Sequence, residues 1–454
     1  MSVSNNFYYI CHYKAEISGF IMKKLLFLLF INYSPSLAQE KDTLNQNRSY
    51  HFQQTIIYQA HGSFNSPYSG LNSLNSSSES ALSVTSTLFL GYKAPAGIEV
   101  YFNPELSGGA GVSSTRGLAG FPNGEVYRVD DPMPKVSVAR LFIKKIFDLS
   151  GDEVNMDDGP NQLSSIHKSE RLVLTIGKFG LSDLFDNNSY SHDARSQFLN
   201  WSLMSSSAWD YPADTKGYTY GFALEYMQPG YTLRGTAVMV AKEANGMEMD
   251  TRIRDAHGLA VEFEKLFSLY GKYGKIRLLL FQNSAQMGNY SEAVNNYSYN
   301  MDITKTRIYG RTKTGFAINT EYAFAENSGT FLKLSWNDGK NETWMYTEVD
   351  RSLAAGILLS KLDILNGNDE AGLAFAFNGL SDDHKRYLMN GGYGFIIGDG
   401  KLNYGLESIF ELYFKSIFFN NISITPDYQF ILNPAYNNDR GPVHLFALRA
   451  HIEL

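Results

Sequence analysis

"HLFALRAHIEL", residues 444–454, separates into two sets when its residues are taken alternately. Phe446, Leu448, Ala450, Ile452 and Leu454 fall on one side. Leu445, Ala447, Arg449, His451 and Glu453 fall on the other. An extended strand turns successive side chains to opposite faces. One face is therefore apolar to its end, while the other finishes in Arg, His and Glu. Such a strand suits a wall with lipid on one side and water on the other.

The same period of two recurs upstream. In "GYTYGFALEYM" (217–227), Tyr218, Tyr220, Phe222, Leu224 and Tyr226 oppose Thr219, Gly221, Ala223 and Glu225. "YTLRGTAVMVA" (231–241), "TGFAINTEYAF" (314–324) and "LNYGLESIFELYF" (402–414) repeat the pattern. A soluble sandwich also alternates, but here aromatics gather at or near strand ends, as a membrane girdle requires. No apolar run has the length of a transmembrane helix; barrel strands, short and half apolar, escape that test.

The sequence divides into about 16 candidate strands. Their links alternate between short ("KAPAG" 93–97, "QPG" 228–230, "ENSG" 326–329, "KSIFFNN" 415–421) and long (61–81, 104–134, 180–216, 242–255, 284–311, 338–351, 378–401, 433–442). Short periplasmic turns and long outer loops are the signature of an outer-membrane barrel. One link breaks the parity: residues 148–170 are long where a short turn belongs, which implies an insertion or a hidden hairpin. The expected fold is all-β, a transmembrane antiparallel barrel whose last strand pairs with the first, near "HFQQTIIYQA" (51–60).

Composition agrees. Aromatics make up 14% of the 454 residues and Gly numbers 39, a mix that favours strands and turns. A net charge of −7 argues against a nucleic-acid partner. Met22–Ala38 reads as a signal peptide: Lys23 and Lys24, an apolar core from Leu25 to Ile31, then Ser36-Leu37-Ala38. Residues 1–21 read as an upstream extension, 39–50 as a short periplasmic tail and 51–454 as the barrel. Cleavage after Ala38 removes Lys14, Lys23, Lys24 and Glu16, taking the charge from −7 to −9. It also removes Cys11, the only cysteine, so disulfides are not the source of stability.

The C-terminal third carries a further signal. "GDGKLNYGLESIFELYF" (398–414) and "ITPDYQFILNPAYNNDRGPVHLFALRAHIEL" (424–454) closely resemble the carbohydrate-selective porins of the OprB type. "VARLFIKKIF" (138–147), "GKFGLSDLFDNNSYSHDARSQFLNWSL" (177–203) and "WDYPADTKGYTYGFALEY" (209–226) fit the same family. The resemblance runs from about residue 135 onward and implies a barrel in the Gram-negative outer membrane through which sugars diffuse inward. It implies as partners small carbohydrates, outer-membrane lipid and lipopolysaccharide, and the barrel assembly machinery. A homotrimer and a monomer both fit the pattern. Leu454 stands where such barrels often carry Phe, and because the alternation is kept, assembly is expected to survive.

A pore needs no nucleophile. It needs a watery lumen narrowed by charged and hydrogen-bonding groups. Sugar hydroxyls call for paired donors and acceptors, and the C–H face of a sugar ring calls for an aromatic surface. By parity Arg140, Glu225, Arg234, Glu321, Glu407, Glu411 and Arg449 face the lumen. Arg140 and Arg234 either line the pore or form ion pairs between wall and an inward loop. Glu407 and Glu411, four apart, suggest one acidic patch. Arg449 and Glu453 are expected at the periplasmic rim.

Link 180–216 is the candidate constriction loop, with Arg195, Trp201, Trp209, Asp210, Tyr211 and Asp214; its aromatics either meet solute or pack on the wall. No H-x-x-x-H pair or G-x-S-x-G elbow appears, so no metal, cofactor or catalytic residue is called for. His192-Asp193 and Asp382-Asp383-His384 read as solvated loop residues. A general or anion-leaning porin, and a non-transporting barrel such as a lipase or adhesin, are the competing readings.

Overall fold

A computed structural model describes residues 47–126, 132–296, 301–346, 348–419 and 421–454. The signal segment and most of the expected tail lie outside these residues. Sixteen strands form the wall: β1 (Arg48–His61), β2 (Glu79–Ala94), β3 (Ile98–Gly109), β4 (Lys135–Met156), β5 (Ser165–Phe179), β6 (Thr219–Gln228), β7 (Tyr231–Val238), β8 (His257–Leu269), β9 (Lys272–Ala285), β10 (Arg311–Ala325), β11 (Ser328–Asn337), β12 (Arg351–Leu362), β13 (Asp369–Gly379), β14 (Glu407–Phe418), β15 (Ile422–Leu432) and β16 (Val443–Glu453). Each pairs with its neighbours in sequence, and β1 closes on β16. Closure gives every edge a partner and satisfies the backbone polar groups in lipid.

The seam forms where expected, along residues 53–61, with Gln53 opposite Glu453 and His61 opposite Leu445. Phe446 is 59% exposed on the outer, lipid-facing side, whereas Leu445 and Arg449 are fully buried inside. Leu454 extends the seam: its N–H donates to the Phe52 carbonyl at 2.9 Å, and the Phe52 N–H returns a bond at 2.8 Å.

Several boundaries depart from the sequence reading. β1 starts at Arg48, inside the expected tail. Link 148–170 is neither an insertion nor an extra pair of strands. β4 and β5 simply run on, pairing as far as Met156 opposite Ser165, before turning through 157–164. Residues 402–406, read as strand, remain in the link before β14. Asp382–Met389 is a helix, and His384 in it is buried, 3.0 Å from Asp350. It is not a solvated loop residue.

The core lies inside the barrel. Parts of links 110–134, 180–218 and 338–350 fold inward and pack Phe121, Trp201, Trp209, Tyr211 and Tyr346 into one cluster. Inward-facing apolar wall residues, among them Tyr101, Phe142, Phe179, Leu279 and Phe281, join the same cluster, so the loop aromatics pack on the wall as well as on one another.

Candidate functional site

Link 180–218 leaves β5 and crosses the lumen, held by wall charges. A loop folded into a barrel carries backbone amides away from bulk water, and each must find a partner. Glu411 of β14 accepts from the Leu199 and Asn200 N–H groups at 2.6 and 2.8 Å. Glu262 of β8 accepts from Asp186 N–H at 2.7 Å, and Glu321 of β10 from the Ser189 N–H and hydroxyl, both at 2.8 Å. Cations take the carbonyls. Lys333 Nζ of β11 donates to Ser191, Leu203 and Met204 at 2.5–2.9 Å. Arg449 of β16 donates to Ala194 and Gln197 at 2.6 and 2.7 Å.

Link 110–134 uses the same device. Glu407 accepts from Ala119 and Gly120 at 3.0 and 2.8 Å, and from Ala435 of the last long link at 2.8 Å. Asp210 does the same between loops, accepting from Trp344 and Met345, each at 2.8 Å.

The opposite wall is left open. A cavity of about 600 Å³ runs along the inner faces of β4, β5 and β6, bounded on its far side by the inserted loops. Arg140 and Asp183 meet directly on its lining. The guanidinium donates twice to the carboxylate, at 2.6 and 2.5 Å, and sits 5.1 Å over the Tyr218 ring. Burial alone would raise the Asp183 carboxyl; Arg140 and the Gly180 N–H bring it below the ordinary value, so it is ionised.

Arg195 reaches from the loop to the β1–β3 wall, donating to Gln53 at 3.0 Å, Thr87 at 3.1 Å and Glu105 at 3.2 Å, and to Glu125 of link 110–134 at 2.8 Å. Trp201 and Tyr211 give the cavity its aromatic edge. Trp201 stacks with Tyr346 at a centroid distance of 4.9 Å, and Tyr211 meets it tilted at 4.6 Å.

Arg140, Glu225, Arg195, Trp201 and Tyr211 therefore meet on one cavity. Glu407 and Glu411 do not. Both are fully buried against loop amides and form no water-facing acidic patch. Glu321 is equally committed to the loop. Arg234 belongs to the wall, paired with Glu225 and Glu262 at 2.8 Å and with Glu264 at 3.7 Å. Trp209 is buried in the loop core, Asp210 joins two loops, and Asp214 caps the turn to Tyr218 and pairs with Lys178 at 3.4 Å. Arg449 lies under the loop and not at the rim, whereas Glu453 is exposed there, accepting from Gln53 at 3.2 Å.

His192 and Asp193 border the cavity. The reading from sequence missed Asp183, Glu125, Lys144 and Arg171 on the cavity, and Lys333 and Glu262 as anchors. Lys333 and Glu262 follow from strand parity once the strand limits are known. Asp183 and Glu125 lie on loops and carry no period.

A family model described as carbohydrate-selective porin, OprB family, matches residues 72–454. Among solved structures, the high-pH form of OprB from Pseudomonas putida is similar with a TM-score of 0.67 and 13% identity, over 90% of this chain and 94% of that one. The outer-membrane channel DcaP of Acinetobacter baumannii gives 0.50 and 9%, over 90% and 97%. No curated protein matches the chain by sequence. At such identities the structural likeness speaks to the barrel fold, and the family match speaks to the rest.

Proposed function

The chain belongs to the carbohydrate-selective porin family, OprB type, and on that premise we propose where in the barrel its sugar passes. It is an integral outer-membrane barrel of the porin kind that admits carbohydrates. In our reading the solute moves between the inserted loops and the β4–β6 wall. There it meets the Arg140–Asp183 pair first, with Glu225 and Arg195 beside it, while Trp201 and Tyr211, only 2% and 4% exposed, border the cavity by their edges.

The observation that carries this is the Arg140–Asp183 pair itself. It is an ion pair on the cavity lining whose side chains keep 15% and 28% of their exposure. Sugar hydroxyls can exchange with such a fork of donors and acceptors at little net gain, so binding stays weak and release is quick. A cavity of about 600 Å³ holds a mono- or disaccharide by the usual measure of small-molecule sites.

Charge on this lining is nearly balanced. Arg140, Lys144, Arg171, Arg195 and Lys216 stand against Glu125, Asp183, Asp193 and Glu225. That balance favours a neutral solute over an anion-leaning pore. Met22–Ala38 serves as the export signal in this reading, and the protein works as a channel without catalysis.

The test is sugar-dependent block of single-channel current in planar bilayers, with reversal potentials in a salt gradient. Block by D-glucose, maltose or sucrose with weak ion selectivity supports the reading. Strong anion selectivity without sugar block overturns it.

A further inference from the structure

The β4–β5 hairpin lies at the end of the barrel where every other link is short, the periplasmic end. Its tip is built to hold a shape. Gly159 and Gln162 exchange both backbone hydrogen bonds at 3.0 Å around Pro160 and Asn161. Proline in the second position and Asn161 at a φ of 60° in the third suit a type II turn.

The tip does not hang free. It doubles back into the barrel mouth and docks on the inner faces of β1–β4. Leu163 is 1% exposed, its N–H donates to the Tyr101 hydroxyl at 3.1 Å, and that hydroxyl donates to Glu99 at 2.7 Å. Lys144 Nζ donates to the Asn161 carbonyl at 2.9 Å, and His51 Nε2 lies 3.0 Å from an Asp158 oxygen. Gly91 of β2 makes room: a Cβ there would stand 3.1 Å from the Tyr101 ring and 3.4 Å from Leu163 Cδ2.

Docking puts Asn161 and Gln162 on the lining of the same cavity as Arg140 and Glu225. Asn161 Oδ1 and Arg171 Nε are buried and meet no hydrogen-bond partner among the described residues, and Gln162 Nε2 already donates to the Asp157 carbonyl at 2.6 Å.

We propose that the 157–164 tip is a second selectivity element at the periplasmic exit, which meets sugar hydroxyls through the amide groups of Asn161 and Gln162. This rests on the sugar-porin reading above. An amide both donates and accepts without carrying charge, so it holds a neutral polyol without gathering ions. Solute leaving the charged Arg140–Asp183 pair thus passes a neutral set before release.

The full-length channel is tested in planar bilayers with D-glucose, maltose and sucrose added to one side at a time. The Asn161→Ala/Gln162→Ala variant should raise the half-blocking concentration from the periplasmic side by about three- to tenfold, the worth of a lost neutral hydrogen bond. Block from the outer side should change less. Leu163→Asp, which undocks the tip, should raise conductance. Heat-dependent gel migration confirms that each barrel is folded. Equal block of parent and double variant from both sides, with unchanged conductance in Leu163→Asp, overturns the second element alone. Absence of sugar block in the parent overturns the porin reading with it.

Discussion

The two halves of the barrel wall carry similar charges and use them differently. Along β8, β10, β11, β14 and β16, the inward-facing Glu262, Glu321, Lys333, Glu411 and Arg449 are spent on loop backbone. Along β4–β6, Arg140 and Glu225 face a cavity. The difference shows that an inward charge on a barrel strand is not by itself a pore residue. What decides is whether a loop amide or carbonyl has claimed it. A buried carboxylate that accepts two amides has given up its affinity for solute, because rebinding a sugar would orphan both donors.

Substitutions on the two walls should therefore fail in different ways. Arg234→Ala strands Glu225 and Glu262 within a buried cluster and should cost about 3–5 kcal/mol of stability. Heat-dependent gel migration should fall at a lower temperature, with sugar block changed little in the surviving channels. A large loss of block at unchanged stability would move Arg234 to the pore side of the comparison.

Glu411→Ala removes the acceptor for Leu199 and Asn200, at about 2–5 kcal/mol for two orphaned donors. The loop should loosen, so single-channel conductance and current noise should both rise. Arg140→Ala should leave the wall standing and weaken sugar block about tenfold, about 1.4 kcal/mol, with the reversal potential shifting toward cations because Asp183 loses its counter-ion.

The smallest effect concerns the contact between links 338–350 and 380–406. Burial pushes the Glu348 carboxyl from 4.5 to about 8, against the Ile396 and Ile397 N–H groups at 3.3 and 2.9 Å that favour its ionised form. Folded, the group holds a proton that it would release unfolded. Its contribution is thus fully present below pH 4.5 and is lost as pH rises through about 8. Protection factors over residues 391–400, with the intrinsic base-catalysed rate divided out, should fall from about pH 5 to pH 9, and Glu348→Gln should flatten that dependence.

The strands were legible because lipid on one side and water on the other impose a period of two over eight or more residues. The closing strand and its pairing with the first, near residues 51–60, followed from that; the register, Gln53 opposite Glu453 to His61 opposite Leu445, did not. Loop insertion was not legible. Alternation marks Glu411 as inward, yet its partners are backbone amides more than 200 positions away in sequence. No residue type announces that its N–H will need an acceptor. The same limit explains Arg449, placed at the rim by its distance from the chain end and found under the loop.

Residues 402–406 mislead in the opposite way. Leu402, Tyr404 and Leu406 alternate without a ladder partner, because Leu402 and Tyr404 pack on the loop core and Leu406 points outward. In the β4–β5 hairpin, length was visible but direction was not. Gly159, Pro160 and Asn161 specify the turn, whereas Leu163 docking on Tyr101 needs the barrel to exist first.

Arg449 belongs to the strand that completes the ring, and its guanidinium holds the Ala194 and Gln197 carbonyls of the inserted loop. Some of the bonds that set the aperture therefore form only when the wall is whole. A barrel stalled one strand short would be open at its side and slack at its centre together, and the step that heals the one tightens the other. The membrane is sealed and the passage is gauged in the same motion.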